Sequence, residues 1–292
     1  MSSTDGAAGA ESNVIEFITI STLGDSQDFG DLTIETRQGT GFSSRTRAIQ
    51  AGGFDGSNRK NNIEFVTISS LGNAQDFGDL IQSSIGNRSG RSNQTRWLVA
   101  TGEHPFNTND IDYITIASTG NAVDFGNLPN AYQTAFAAGS TTRGIFAGGR
   151  GTHGYYNVIE FVTFATTGDA TDFGDLSDQK KGSGKGNASN STRAIFCGED
   201  RSGDSITNVI EFITIATTGN AIDFGDATSP ITTVANLFSP TRGVFSGGYN
   251  GSSNVNSIQF VEIATTGNAQ DFGDCANTNA ARTGASSGHG GL

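Results

Sequence analysis

The sequence predicts an all-β fold in which one small four-stranded unit is repeated around a ring. Three observations carry that expectation. The tripeptide Asp-Phe-Gly occurs six times, with its phenylalanine at Phe29, Phe77, Phe125, Phe173, Phe224 and Phe272, at spacings of 48, 48, 48, 51 and 48 residues. No stretch of the unit shows the 3.6-residue apolar period of a helix. The strongest strand candidate, Val158–Ala165, carries apolar residues at both alternating sets of positions. A strand of that kind is covered on both faces, as when sheets stack side by side around an axis.

One unit reads as four strands in order. The first is a small-residue stretch such as Gly39–Ser44. A Thr-Arg pair follows, with Arg47, Arg96, Arg143, Arg193 and Arg242. The second strand is the apolar run Arg143–Gly149, ending in Gly-Gly. The third is Val158–Ala165, rich in β-branched and aromatic residues. After a Thr-Thr-Gly-Asp/Asn turn, the fourth lies around Asp172–Leu176. An isoleucine stands fourteen residues before every phenylalanine (Ile15, Ile63, Ile111, Ile159, Ile210, Ile258), so the turn between strands three and four has one length. All length variation falls in the loop between strands two and three and in the connection to the next unit. The expected architecture is a β-propeller of six four-stranded blades in a single domain, residues 1–292. Both chain ends share one blade: residues 276–292 give its innermost, closing strand, and the N-terminal region its third and fourth. Residues 1–12 form an N-terminal segment in which Thr4–Gly9 stands in for a weak second strand. Five blades with free termini are the alternative.

Composition fits a repeat and removes several classes. The chain has 292 residues with 41 glycines and 4 prolines, and its 17 Lys+Arg against 29 Asp+Glu give a net charge of −12. Eleven of the acids are the aspartates of the six Asp-Phe-Gly-Asp/Asn copies, and Glu16, Glu64, Asp112, Glu160 and Glu211 precede the third-strand aromatic. Gln259 in the last copy shows that an acceptor suffices there. Such an acidic chain is a poor partner for nucleic acid, where phosphates must be neutralised by Lys and Arg. No apolar run approaches the ~20 residues of a membrane span, so membrane insertion is not expected. The N-terminus has neither the basic region nor the apolar stretch of a signal peptide. Cys197 and Cys275 are too few for a disulfide framework or a Cys-rich zinc site, and they occupy core positions of the repeat.

Motifs that suggest chemistry have structural readings. Asp-Phe-Gly lacks the Gly-rich loop, strand lysine and His-Arg-Asp that make it a kinase magnesium motif. Its phenylalanine is expected to pack between blades, its glycine to permit a close backbone approach, and its aspartate to suit a strand end. The aspartates also lack the loop spacing of a calcium site. The Thr-Arg arginines are expected to pair with the third-strand acids or with the Asp-Phe-Gly aspartates. Gly182–Gly186 lacks the ending and setting of a phosphate-binding loop and reads as a solvated loop, with Lys180, Lys181 and Lys185 forming a basic spot. His104, His153 and His289 have no metal-ligand spacing. No Tyr/His/Cys copper set and no sialidase box can be assembled, and Trp97 sits in a second strand. Neither a metal nor a cofactor is expected.

In an antiparallel blade the two-to-three loop and the blade connection emerge on one face, and the fixed turns on the other. The variable face is the expected binding face. Its loops carry the candidate ligand-binding residues: Phe54, Asn58 and Arg59; His104 and Phe106; His153, Tyr155 and Tyr156; Asp200 and Arg201; Tyr249 and Asn250. Aromatics among Asn, Asp and Arg suit a sugar- or protein-contacting surface. An enzyme acting on polysaccharide would need two converging carboxylates, for which Glu103, Glu199 and Asp200 are the loop candidates.

The apolar strand ending in Gly-Gly, the second apolar strand and the last-strand aromatic, at a period near 50, resemble kelch repeats. Thr207–Asp226 and Asn157–Leu176 are similar, almost throughout, to kelch-like repeats in virion structural proteins of tailed phages that infect marine cyanobacteria. The resemblance covers about residues 13–275. It implies a non-enzymatic virion protein, made in the host cytoplasm and present in many copies. Its partners would be other virion proteins and a host-surface glycan or protein, as a tail- or fibre-associated module. A capsid decoration or docking module and a polysaccharide-active enzyme on a propeller scaffold are the alternatives.

Overall fold

The computed structural model describes residues 11–22, 24–84, 88–100, 102, 106–182, 187–201, 205–276, 278, 284 and 286. Every element among them is a β-strand, and the strands form a β-propeller with five blades. The first blade runs Thr40–Ser43, Arg47–Phe54, Arg59–Thr67 and Gln75–Ser84, and the second Ser89–Ser92, Arg96–Ala100, Asp110–Thr115 and Val123–Asn127. The third is Phe136–Gly139, Arg143–Ala147, Val158–Thr163 and Thr171–Asp175. The fourth has Arg193–Cys197, Val209–Thr214 and Ile222–Asp226, with a single bridge from Ser189 to Ala194 at its inner edge. The fifth is Ala235–Phe238, Arg242–Tyr249, Asn254–Glu262 and Gln270–Asp274. All strand pairs are antiparallel, and the four strands of the unit match the repeat.

The expectation of six four-stranded blades is corrected to five. Between the fifth blade and the first lies a sheet of two strands, β1 (Ser12–Phe17) and β2 (Gln27–Thr36). These carry the apolar third- and fourth-strand pattern. Thr4–Gly9 has no aromatic and no β-branched residue after Thr4, and 276–292 has no Phe, Tyr or Trp; the first segment lies outside the described residues and the second largely so. Of the closing segment, Ser286 bridges the inner strands on either side: Ser43 Oγ donates to its carbonyl, and the Phe238 amide donates to its hydroxyl at 3.0 Å.

The blades pack on one another through the Asp-Phe-Gly strand. Each phenylalanine is buried and meets the third-strand aromatic of its own sheet edge-on, as Phe173 meets Phe161 at 6.0 Å and 83°. That geometry suits the ring quadrupoles, and it recurs from Phe17–Phe29 to Phe260–Phe272. The following glycine sits in a bulge at positive φ, 150° at Gly174, where a Cβ would come within 2.5 Å of the Gly219 carbonyl in the next blade's turn. Only glycine permits that approach. Across it the Gly219 amide donates to the Phe173 carbonyl at 2.8 Å, and the Asp175 amide donates to Asn220 Oδ1 at 3.1 Å. The same side-chain acceptor recurs at Asn73, Asn121, Asp169 and Asn268 and, between the fifth blade and the turn after β1, at Asp25. The turn has one length because it is a joint between sheets.

The Thr-Arg arginines do not pair with the acids expected. Each guanidinium lies over the third-strand aromatic of its own blade, at 4.6 to 5.0 Å from the ring centre, in all five blades. It also donates to a carbonyl at the end of the next sheet's third strand: Arg47 to Ile116, Arg96 to Phe164, Arg143 to Ile215, Arg193 to Ile263 and Arg242 to Ile20. Among the described residues, only Arg242 of the five also meets a carboxylate, Glu262 at 2.8 Å, at the end of the same strand as its aromatic. Four of the five third-strand acids, Glu64, Asp112, Glu160 and Glu211, are instead buried acceptors. Glu64 takes the Thr33 amide, Glu211 the Ser177 amide and Gln259 the Thr228 amide, from the chain leaving the preceding sheet. Gln259 makes the bond without a charge, as expected. Trp97 is fully buried and stacked on Phe42 at 4.0 Å, and Cys197 and Cys275 are buried free thiols.

Candidate functional site

The variable loops and the blade connections do emerge together, and they are joined. Backbone bridges tie connection to loop at Arg37–Phe54, Gln133–Arg150, Lys180–Arg201 and Thr232–Tyr249. The loops are therefore short hairpins seated on the connection, as in Arg150–Gly151 with Gly154–Tyr155 and Asp200–Arg201 with Ser205–Ile206.

Most of the sequence-predicted residues are occupied in holding these hairpins. Phe54 lies under the Arg37 guanidinium at 5.0 Å. The Asn58 amide closes a turn on Asp55 Oδ1 at 2.6 Å, and Arg59 continues into the third strand. Tyr156 packs on the buried Tyr132 ring at 5.7 Å, and Tyr155 lies half-buried in its hairpin strand. Arg201 reaches Asp178 at 3.4 Å. Phe106 is 80% exposed, and His153 lies exposed at a hairpin tip. His104, with Glu103, lies outside the described residues. The basic spot expected of the lysines is corrected: Lys180 is buried against Glu211 and Lys181 is paired with Asp200. Residues 183–186, with Lys185, lie outside the described residues.

Three of the predicted residues do converge. Asp200, Tyr249 and Asn250 share the wall of an open cleft of about 720 Å³ between the fourth- and fifth-blade loops, with Lys181, Thr232, Thr233 and Asn254. Its wall is built by three segments. The Asp200 hairpin supplies the anionic side, where the carboxylate pairs with Lys181. Burial opposes the Lys181 charge, but Asp200 outweighs it and the ammonium is favoured. The connection into the fifth blade supplies two hydroxyl residues, and the fifth-blade loop supplies Tyr249, whose hydroxyl donates to the Gly251 carbonyl at 2.9 Å. Asn250 shapes that loop by accepting the Ser252 and Ser253 amides, both at 2.9 Å.

Under the cleft lies Glu199, a residue whose role the sequence reading missed. Its equivalents Gly53, Gly149 and Gly248 have φ of 112°, 120° and 113°, and Glu199 itself has φ of 86°. A side chain there costs about 1–3 kcal/mol of backbone strain. The carboxylate accepts from Thr232 Oγ1 at 2.6 Å and from the Thr233 amide at 3.0 Å. Thr233 is itself left-handed, with φ of 58°. Burial pushes the Glu199 carboxyl up to about 7, against the Thr232 hydrogen bond. Glu199 has no exposed surface, so it acts as a positioning residue that fixes the threonine wall. The signal in the sequence was its departure from Gly-Gly. Among the described residues no group of three His, Cys, Asp or Glu could hold a metal ion. No family model matches the chain, and no curated protein matches it.

Proposed function

We propose that this is a kelch-type, non-enzymatic module of a tailed-phage virion that binds the host surface through the cleft between its fourth and fifth blades. The observation that carries the reading is the wall of that cleft: one tyrosine ring beside two threonines, two asparagines and an ion pair, on a rigid ring. An aromatic face with several fixed polar groups is the composition that takes a saccharide or a polar protein loop. The virion assignment rests on the likeness of Thr207–Asp226 and Asn157–Leu176 to phage repeats. Weak contacts multiplied over many copies on a particle would supply avidity.

We also propose that the two-stranded sheet β1–β2 closes the ring between the fifth blade and the first. Support comes from β1–β2 making the same turn contacts as the five blades, with Gly273 facing the Gly24 carbonyl and Gly30 facing that of Gly72. Thr283-Gly284-Ala285-Ser286 matches Thr40-Gly41-Phe42-Ser43 at three of its four positions.

The test is binding of purified protein to a glycan array and to whole marine cyanobacterial cells, with Tyr249→Ala and Asn254→Ala as variants. Tyr155 and Tyr156 are poorer choices, because Tyr156 packs against the buried Tyr132. Tyr249→Ala is expected to lower binding at least tenfold with its melting temperature nearly unchanged. Equal binding by wild type and both variants would remove the cleft from the account. Binding to isolated tail or capsid fractions, without cell or glycan binding, would replace host contact with docking.

A further inference from the structure

Three cations are buried among the described residues, and they are not treated alike. Arg88 lies 2.9 Å from Asp112, and Lys180 lies against Glu211. Arg91, on the innermost strand of the second blade, is 3% exposed and faces no carboxylate among the described residues. Its guanidinium donates to the Gly139 carbonyl at 2.7 Å and lies 4.6 Å from the ring centre of Phe238, on the innermost strand of the fifth blade. Its Nε is buried without a hydrogen-bond partner.

We propose that the ring axis holds a monatomic anion of the chloride class, bound by Arg91. Guanidinium is not relieved by losing its proton inside a protein, so a counter-charge has to come from elsewhere. One phenyl face and one carbonyl offset only part of the desolvation. The buried carboxylates Glu160 and Glu199 have another outlet, since each can take up a proton. Arg91 has none; even with burial lowering it to about 9 it stays charged at neutral pH. Beside Arg91 is a cavity of about 10 Å³, bounded also by Ser43, Ser92, Asn236, Phe238 and Ser286. That is the space of a single small solvent species, which a halide, somewhat larger than water, would fill tightly. The cavity belongs to the inner strands and is separate from the cleft on the variable face.

The probe is chloride itself, exchanged for gluconate at constant ionic strength while melting is followed. The wild type is expected to melt about 2–4 °C higher at 100 mM chloride than at 1 mM, and Arg91→Met is expected to show no such rise. Bromide introduced into crystals of the wild type should give an anomalous peak within hydrogen-bond distance of the Arg91 guanidinium. That second measurement stands even if the variant fails to fold. A chloride response of the same size in Arg91→Met, or a water with no bromide signal beside Arg91, would overturn the proposal.

Discussion

The two faces of the ring obey different rules. On the turn face, every sheet sends the same Gly-Asn/Asp turn onto its neighbour, and glycine, phenylalanine and amide acceptor recur at fixed offsets. On the loop face the hairpins differ in length and composition, although each is stitched to a connection by the same kind of backbone bridge. The first face spends its sequence on joints between sheets. The second keeps only the stitching constant and leaves the side chains free, which is where a cleft with a singular residue, Glu199, has formed.

Substitutions on the two faces should therefore separate stability from binding. The largest loss is expected from Gly174→Ala, because its Cβ would meet the Gly219 carbonyl at 2.5 Å and the backbone is held at φ of 150°. About 3 kcal/mol is expected, read as a fall in denaturant midpoint with an unchanged slope. Next comes Glu160→Gln. Burial, opposed by the Tyr132 hydroxyl, pushes the Glu160 carboxyl up to about 7. The native state thus holds its proton more tightly than the unfolded chain. The wild type loses stability as pH rises from about 4.5 to about 7 and no further above it. Glutamine removes that loss, so Glu160→Gln should be about 1–3 kcal/mol more stable than wild type at pH 8 and close to it at pH 4.

A smaller effect, about 1–2 kcal/mol, is expected for Arg143→Met, which loses the ring contact with Phe161 and the bond to the Ile215 carbonyl. High salt should change this difference little, since no ion pair is involved. Smallest is the stability effect of Tyr249→Ala, within about 0.5 kcal/mol, with binding lost instead. Should Tyr249→Ala cost as much stability as Gly174→Ala, the division between the faces would fail.

Much of this was legible. The constant offset of fourteen marked the turn as a fixed part before its partner was known, and the Asp-Phe-Gly wording announced a close backbone approach. The arginine partners were misread for a reason that strand geometry explains. Side chains alternate along a strand, and Arg143 pairs with Thr163 while Ile145 pairs with Phe161. Arg143 thus shares a face with Phe161, and Glu160 points to the other side. Counting acids against arginines suggested ion pairs; following the alternation would have given the aromatic. Asp200, Tyr249 and Asn250 were chosen by composition and do meet, but only the ring brings loops of two blades together. Tyr156 and Phe54 looked equally suited and turned out to be packed, which composition alone does not distinguish.

Native-state hydrogen exchange on the wild type tests the central claim most directly. The amides of Gly72, Gly120, Gly168, Gly219 and Gly267 lie in solvent-facing turns, yet each donates to the carbonyl of an Asp-Phe-Gly phenylalanine in the preceding sheet. They should exchange only by opening of the ring, as slowly as third-strand amides, whereas Ser57 and Ser252 on the loop face should exchange by local fluctuation. Turn amides exchanging as fast as those loop amides would contradict the account.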